Sequence, residues 1–131
     1  MSQLCLVADD SLYARMMLKN AVSESMPEAM FQEACSGRQA LELAAAEQYR
    51  FDWYLLDVNM APPDGLATAR SLVQAGVPIG RIALVTGNRS SHLIEDADLM
   101  GICLINKAVS PDDVPGFVGR LSNFFAGQTA E

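Results

Sequence analysis

The sequence predicts one α/β domain built on a doubly wound, five-stranded parallel sheet. Short apolar runs alternate with amphipathic stretches along the whole chain, as expected when helices cover a parallel sheet. The length of 131 residues suits one domain and is enough to bury a core without staples. No internal repeat, low-complexity linker or second hydrophobic core interrupts the pattern.

The first run, Leu4-Cys5-Leu6-Val7-Ala8, stops at Asp9-Asp10. Its continuous apolar character predicts a strand buried on both faces. Ser11 starts a helix over about residues 11 to 25. Leu12 with Met16, and Leu18 with Val22, are spaced four apart and are expected on its inner face. Pro27 breaks it, and a strand follows from Met30 to Ala34. Ser36-Gly37 leads into a helix with Ala40, Leu41, Ala44 and Ala45 on one side. Trp53-Tyr54-Leu55-Leu56 is the third strand, closed by Asp57. Residues 59–65 contain two prolines and read as loop, and Leu66, Ala69 and Val73 suit the helix after it.

Gly76 and Pro78 end that helix. Ile82-Ala83-Leu84-Val85 is the fourth strand, closed by Thr86-Gly87. A helix around 91 to 100 has Leu93, Ala97 and Met100 as its inner face. Ile102-Cys103-Leu104-Ile105 is the fifth strand, followed by Asn106-Lys107. Val114, Phe117, Val118, Leu121, Phe124 and Phe125 recur at helical steps, with Ser110 as cap and Pro111 in the first turn. Right-handed crossovers wind five such βα units into a doubly wound sheet.

Composition narrows the function classes. The formal net charge of −7 argues against a nucleic-acid surface, which needs basic patches. No apolar run is long enough to cross a bilayer, and Met1-Ser2-Gln3-Leu4 lacks the regions of a secretory signal. A cytoplasmic location without membrane contact is expected. Cys5, Cys35 and Cys103 match neither a zinc pattern nor a disulfide framework and read as small hydrophobes. His92 stands alone in a polar stretch and reads as a surface residue.

The chemistry-bearing residues collect where an open parallel sheet places its ligands, outside the carboxyl ends of the strands. Strand one ends in Asp9-Asp10, strand three in Asp57, strand four in Thr86 and strand five near Lys107. Three carboxylates at close quarters repel, so one pKa rises or a cation neutralises them. Mg²⁺ takes one or two carboxylates and leaves room for phosphate oxygens. Asp57 is the best nucleophile, because a carboxylate can accept a phosphoryl group as an acyl phosphate. The Thr86 hydroxyl could hydrogen-bond that group, and the Lys107 ammonium could pair with it. Each residue alone has an ordinary structural explanation; the coincidence at one rim favours function.

In this arrangement the chain resembles the receiver domain of bacterial response regulators, over nearly its whole length. The resemblance rests on Ala8-Asp9-Asp10-Ser11 with Arg15, Leu55-Leu56-Asp57-Val58-Asn59-Met60 with Asp64-Gly65, Val85-Thr86-Gly87, and Lys107. It implies a flavodoxin-like (βα)5 fold with strand order 2-1-3-4-5, and phosphoryl transfer to Asp57 from a histidine kinase or phosphotransfer protein. It also implies Mg²⁺, or Mn²⁺ in its place, held by Asp9, Asp10, Asp57 and the backbone carbonyl of Asn59. Thr86 and Lys107 would contact the phosphoryl group, and side chains at Asn59 and Asn88 would tune its hydrolysis. Output would pass to a protein target through helix 4, strand 5 and helix 5, as in stand-alone chemotaxis or phosphorelay receivers.

Residues 1–126 are expected to form the receiver and 127–131 a short C-terminal tail, with no output module and an open oligomeric state. The chain departs from the family at Ala61, where proline is usual, at Ala108, where proline usually follows the lysine, and at Leu104, where an aromatic often joins the switch. Two alternatives stay open. One is a receiver-like interaction module that no longer switches. The other is an aspartate-dependent phosphatase, although Asn59 stands where such enzymes place a general-acid aspartate.

Overall fold

Five parallel strands pair: β1 (Leu4–Ala8), β2 (Met30–Ala34), β3 (Trp53–Leu56), β4 (Ile82–Thr86) and β5 (Cys103–Asn106). The computed structural model describes residues 2–87, 90–108 and 110–127. Among these, the strands form one sheet in the order β2-β1-β3-β4-β5, as the resemblance implies. Five helices alternate with them: α1 (Leu12–Ser25), α2 (Gly37–Ala46), α3 (Gly65–Gln74), α4 (Ser91–Met100) and α5 (Val114–Phe125). The tail residues 128–131 lie outside the described residues.

The period-two alternation of side chains sorts each strand between two cores. Cys5, Val7, Leu55, Ala83, Val85 and Ile105 pack with Leu18, Val22, Phe117, Leu121 and Phe124 of α1 and α5. Leu6, Ala8, Tyr54, Leu56, Ile82 and Leu84 pack with Ala40, Ala44, Leu66, Leu72, Leu93 and Ala97 of α2, α3 and α4. Both faces of the sheet are therefore covered, which explains the continuous apolar runs. Burial pushes the Cys5 thiol up to about 12, with nearby Asp52 adding to the effect, so Cys5 behaves as the core hydrophobe expected of it. Cys35 and Cys103 are exposed, contrary to that expectation. His92 is exposed, as expected.

Four helices begin on an oxygen cap. Ser11, Ser36, Asp64 and Ser90 accept hydrogen bonds from the N–H groups of Ala14, Gln39, Ala67 and Leu93, each satisfying a donor with no partner inside the helix. At α5 the expectation fails in detail. Ser110 and Pro111 open a 3₁₀ turn over Pro111–Asp113, where Ser110 makes no side-chain cap bond, and α5 begins at Val114 with Pro115 in its first turn.

The inner face of α1 is narrower than its spacing suggests. Leu18 and Val22 are buried, but Leu12 is 62% and Met16 49% exposed. At 3.6 residues per turn, the six-residue offset from Leu12 to Leu18 turns the two pairs roughly 120° apart, so only one pair can face the sheet. In α3, Leu66 and Ala69 are buried as expected, but Val73 is 36% exposed while its neighbour Leu72 is fully buried. Ala45 of α2 is likewise exposed beside buried Ala44.

The β3–α3 loop is tied down from both sides. Ala61 forms a bridge with Ser36 and accepts the Gly37 N–H at 3.2 Å. The Gly65 N–H reaches the Val58 carbonyl at 3.0 Å. A Cβ on Gly65 would collide with the backbone carbonyl of Asp57. Gly65→Ala must therefore push the loop away from the strand. It is expected to lower stability in urea denaturation by about 1–3 kcal/mol, and an unchanged midpoint would show that the contact yields without cost.

Candidate functional site

Strand register builds the site. Ala8 is paired with Leu56, so the next residues, Asp9 and Asp57, emerge side by side. The Asp57 N–H donates to the Ala8 carbonyl at 2.8 Å, and the Asp9 N–H to the Ala34 carbonyl at 3.0 Å. Thr86 is paired with Asn106, and the Lys107 N–H donates to the Thr86 carbonyl at 3.1 Å. Strands β1, β3, β4 and β5 thus deliver Asp9, Asp10, Asp57, Thr86 and Lys107 to one rim.

Carboxylate oxygens of Asp9, Asp10 and Asp57 all lie within 4.8 Å of one another. Asp9 and Asp57 are buried, whereas Asp10 is exposed. The Lys107 ammonium reaches between the buried pair, 2.7 Å from Asp9 Oδ2 and 3.4 Å from Asp57 Oδ1. Burial disfavours the charged form of Asp57 and the charge of Asp9 adds to it; together they outweigh the pull of Lys107, so the Asp57 pKa is raised. Burial alone would lower the Lys107 pKa, but hydrogen bonds and charge from Asp9 and Asp57 prevail and raise it. The donor set fits a hard divalent cation: three carboxylate oxygens, with no thiolate or imidazole to favour a softer metal.

Around this centre the side chains differ in rank. Asp9 Oδ1 accepts the Ser11 N–H at 2.9 Å, so the start of α1 also orients the carboxylate. Thr86 is fully buried at the end of β4. Asn59 is exposed, while its backbone N–H hydrogen-bonds Asp57. Asn88 lies outside the described residues. The Lys107–Ala108 peptide is trans; the cis bond among the described residues is Pro62–Pro63.

Arg15 figured in the sequence resemblance, but neither its role nor the groups around it, Glu33 and Lys19, did. Arg15 Nη1 donates to the Asp9 carbonyl at 2.6 Å, and its Nε to Glu33 Oε1 at 2.8 Å. Lys19 holds the other Glu33 oxygen at 2.8 Å. Hydrogen bonds from Lys19 and Arg15 lower the Glu33 pKa, so this carboxylate stays charged and steers the guanidinium onto the Asp9 backbone. Glu33 lies on β2, 18 residues from Arg15, and only the packed fold reveals the contact. Beside Asp9 and Lys107 lies a largely apolar cleft of about 690 Å³, lined in part by Tyr13, Met17, Val114 and Phe117.

The raised Asp57 pKa has a stability consequence. A carboxyl whose folded pKa exceeds its unfolded value stabilises the fold at low pH and loses that contribution as pH rises through the folded value. Without divalent cations, Asp57→Asn is therefore expected to be more stable than wild type at pH 7. The gap should close as pH falls through the carboxylate range. Equal stability of the two proteins across that range, measured by urea denaturation, would contradict the strained-carboxylate description.

Comparison with known proteins agrees with this geometry. The family model described as "Response regulator receiver domain" matches residues 5–116, a span that includes every residue at the rim. A protein-glutamate methylesterase/protein-glutamine glutaminase 1 of Methanosarcina acetivorans is 30% identical over 110 residues, 83% of this chain and 31% of that protein. The chain thus spans about a third of that relative's length. The fold matches a phosphorylated cyanobacterial phytochrome response regulator, RcpA, at TM-score 0.82 and 16% identity, over 100% of this chain and 98% of that one. It also matches a chain of the CheX-CheY-BeF3-Mg complex of Borrelia burgdorferi at TM-score 0.72 and 17% identity, over 91% and 88% of the chains. The chain belongs to the response regulator receiver domain family.

Proposed function

We propose that the domain is a phosphoacceptor switch in which Asp57 takes a phosphoryl group from a histidine kinase or phosphotransfer protein. The observation that carries this reading is the convergence of the Asp9, Asp10 and Asp57 oxygens within 4.8 Å, with the Lys107 ammonium 3.4 Å from Asp57. An Asp57 oxygen would attack phosphorus while the bond from phosphorus to the donor imidazole breaks. Asp9, Asp10, Asp57 and the Asn59 carbonyl would hold Mg²⁺ or Mn²⁺, whose chemistry is to neutralise charge spread over a transferring phosphoryl group. Lys107 would exchange its pairing with Asp9 for the new phosphoryl oxygens, and the Thr86 hydroxyl would hydrogen-bond them.

The surroundings support a protein phosphodonor. Leu12, Tyr13 and Met16 are large, apolar and exposed on the first turns of α1, immediately after Asp10. Such a patch beside the acceptor suits contact with another protein. Output would follow from the new charge of about −1.5 to −2, read by a protein target at α4, β5 and α5. Two structural neighbours favour phosphorylation and protein binding as such: one is a phosphorylated response regulator, the other comes from a complex with CheX, BeF3 and Mg.

A second reading, a receiver that no longer switches, draws on half-buried Leu104 in β5, where no aromatic side chain is present to change places with Thr86. Beryllofluoride binding that leaves the amide resonances of α4, β5 and α5 unmoved would favour it.

With acetyl phosphate and Mg²⁺, wild type is expected to gain the mass of one phosphoryl group and Asp57→Asn none. Lys107→Ala should label more slowly by roughly tenfold or more. Unlabelled wild type, under conditions that label another receiver, would reject the reading.

A further inference from the structure

Lys107 lies one residue beyond the edge strand β5, so its backbone must be anchored from outside the sheet as well as within it. Two bonds anchor it. Its own N–H reaches the Thr86 carbonyl at 3.1 Å. On the helix side, Arg120 Nη2 donates to the carbonyl of Asn106, the residue before Lys107, at 3.0 Å.

The Arg120 guanidinium is itself held by three features of α5 and the turn before it. Asp113 Oδ2 lies 3.7 Å from Nη2. The guanidinium carbon sits 5.9 Å from the centre of the Phe117 ring, and Phe117 is buried in the core. Gly116 leaves the space: a Cβ there would come 3.2 Å from Arg120 Nη1 and 3.5 Å from Asp113 Oδ1. Arg120 Nε is buried with no hydrogen-bond partner among the described residues. Leaving that buried N–H unpaired carries a cost, while Nη2 is held between the Asn106 carbonyl and Asp113.

We propose that Arg120 is a positioning residue for Lys107: with Asp113, Gly116 and Phe117 it clamps the Asn106–Lys107 peptide to α5, fixing where the ammonium reaches the acceptor carboxylates. The functional meaning rests on the phosphoacceptor reading above. The clamp also makes α5 and the Lys107 peptide move together, so a partner bound on α5 would be felt at Lys107.

Two measurements test it. The first is beryllofluoride affinity at saturating Mg²⁺ for wild type, Arg120→Met, Lys107→Ala and the double variant. Arg120→Met keeps the apolar stem over Phe117 and removes the donor. It should bind about tenfold more weakly, and in the Lys107→Ala background it should cause no further loss. Unchanged affinity in Arg120→Met, or an equal loss in both backgrounds, overturns the proposal, because a purely structural brace does not need Lys107.

The second is hydrogen exchange of the Lys107 amide, which should speed up by about tenfold in Arg120→Met while β1 amides are unaffected. Unchanged Lys107 exchange also overturns the clamp. If Arg120→Met does not fold, Gly116→Ala carries both measurements, with smaller losses in the same direction. Wild type that fails to bind beryllofluoride sinks the phosphoacceptor reading, and amide exchange then decides the clamp by itself.

Discussion

Lys107 and the surrounding loops are arranged around the mutual repulsion, at the rim of the sheet, of Asp9, Asp10 and Asp57. Their oxygens meet within 4.8 Å because adjacent parallel strands end in register, one residue beyond the Ala8–Leu56 pair. Isolated in a buried rim, such a cluster would drive its own protonation or pull the strand ends apart. Lys107 opposes this by placing one ammonium against two of the three carboxylates. Compensation is incomplete, as the raised Asp57 pKa shows. The site is therefore poised to gain from a cation or from chemistry that changes the charge at Asp57.

Much of the scaffold serves to hold that poise. Gly65 lets α3 start directly against the Asp57 carbonyl. Ala61 is tied to the start of α2 through Ser36 and Gly37. Arg15 and Glu33 secure the backbone of Asp9 from the side of β2. These contacts are short backbone and charge-assisted bonds, which have little room to give. A strained electrostatic centre inside a firm frame is what a switch needs: the charge change has to be absorbed by a few movable groups rather than by the whole fold.

The sheet and its rim were legible in the sequence because both follow from local pattern. Continuous apolar runs marked four strands and a weaker, mixed run marked β2, all to within a residue at each end, Thr86, Ile102 and Asn106 being the differences. Polar residues at the ends of those runs marked Asp9, Asp10, Asp57, Thr86 and Lys107. Helix faces were read less well, since four-residue spacing fits two stripes and only packing selects one; Leu12 and Met16 fell on the wrong stripe. The supporting contacts were illegible for another reason. Glu33 with Arg15, and Arg120 with the Asn106 carbonyl, join a helix to a neighbouring strand across 18 and 14 residues, and no local pattern records a partner that only tertiary packing supplies.

A divalent cation among the three carboxylates should relieve their repulsion. A Mg²⁺ titration of unfolding free energy tests this most directly, since a ligand that binds only the folded state adds stability that grows with its concentration. Wild type should gain stability with Mg²⁺ along a single-site binding curve, at constant ionic strength, and Asp9→Asn should lose most of that gain. A wild-type stability independent of Mg²⁺, or a gain undiminished in Asp9→Asn, would contradict the account.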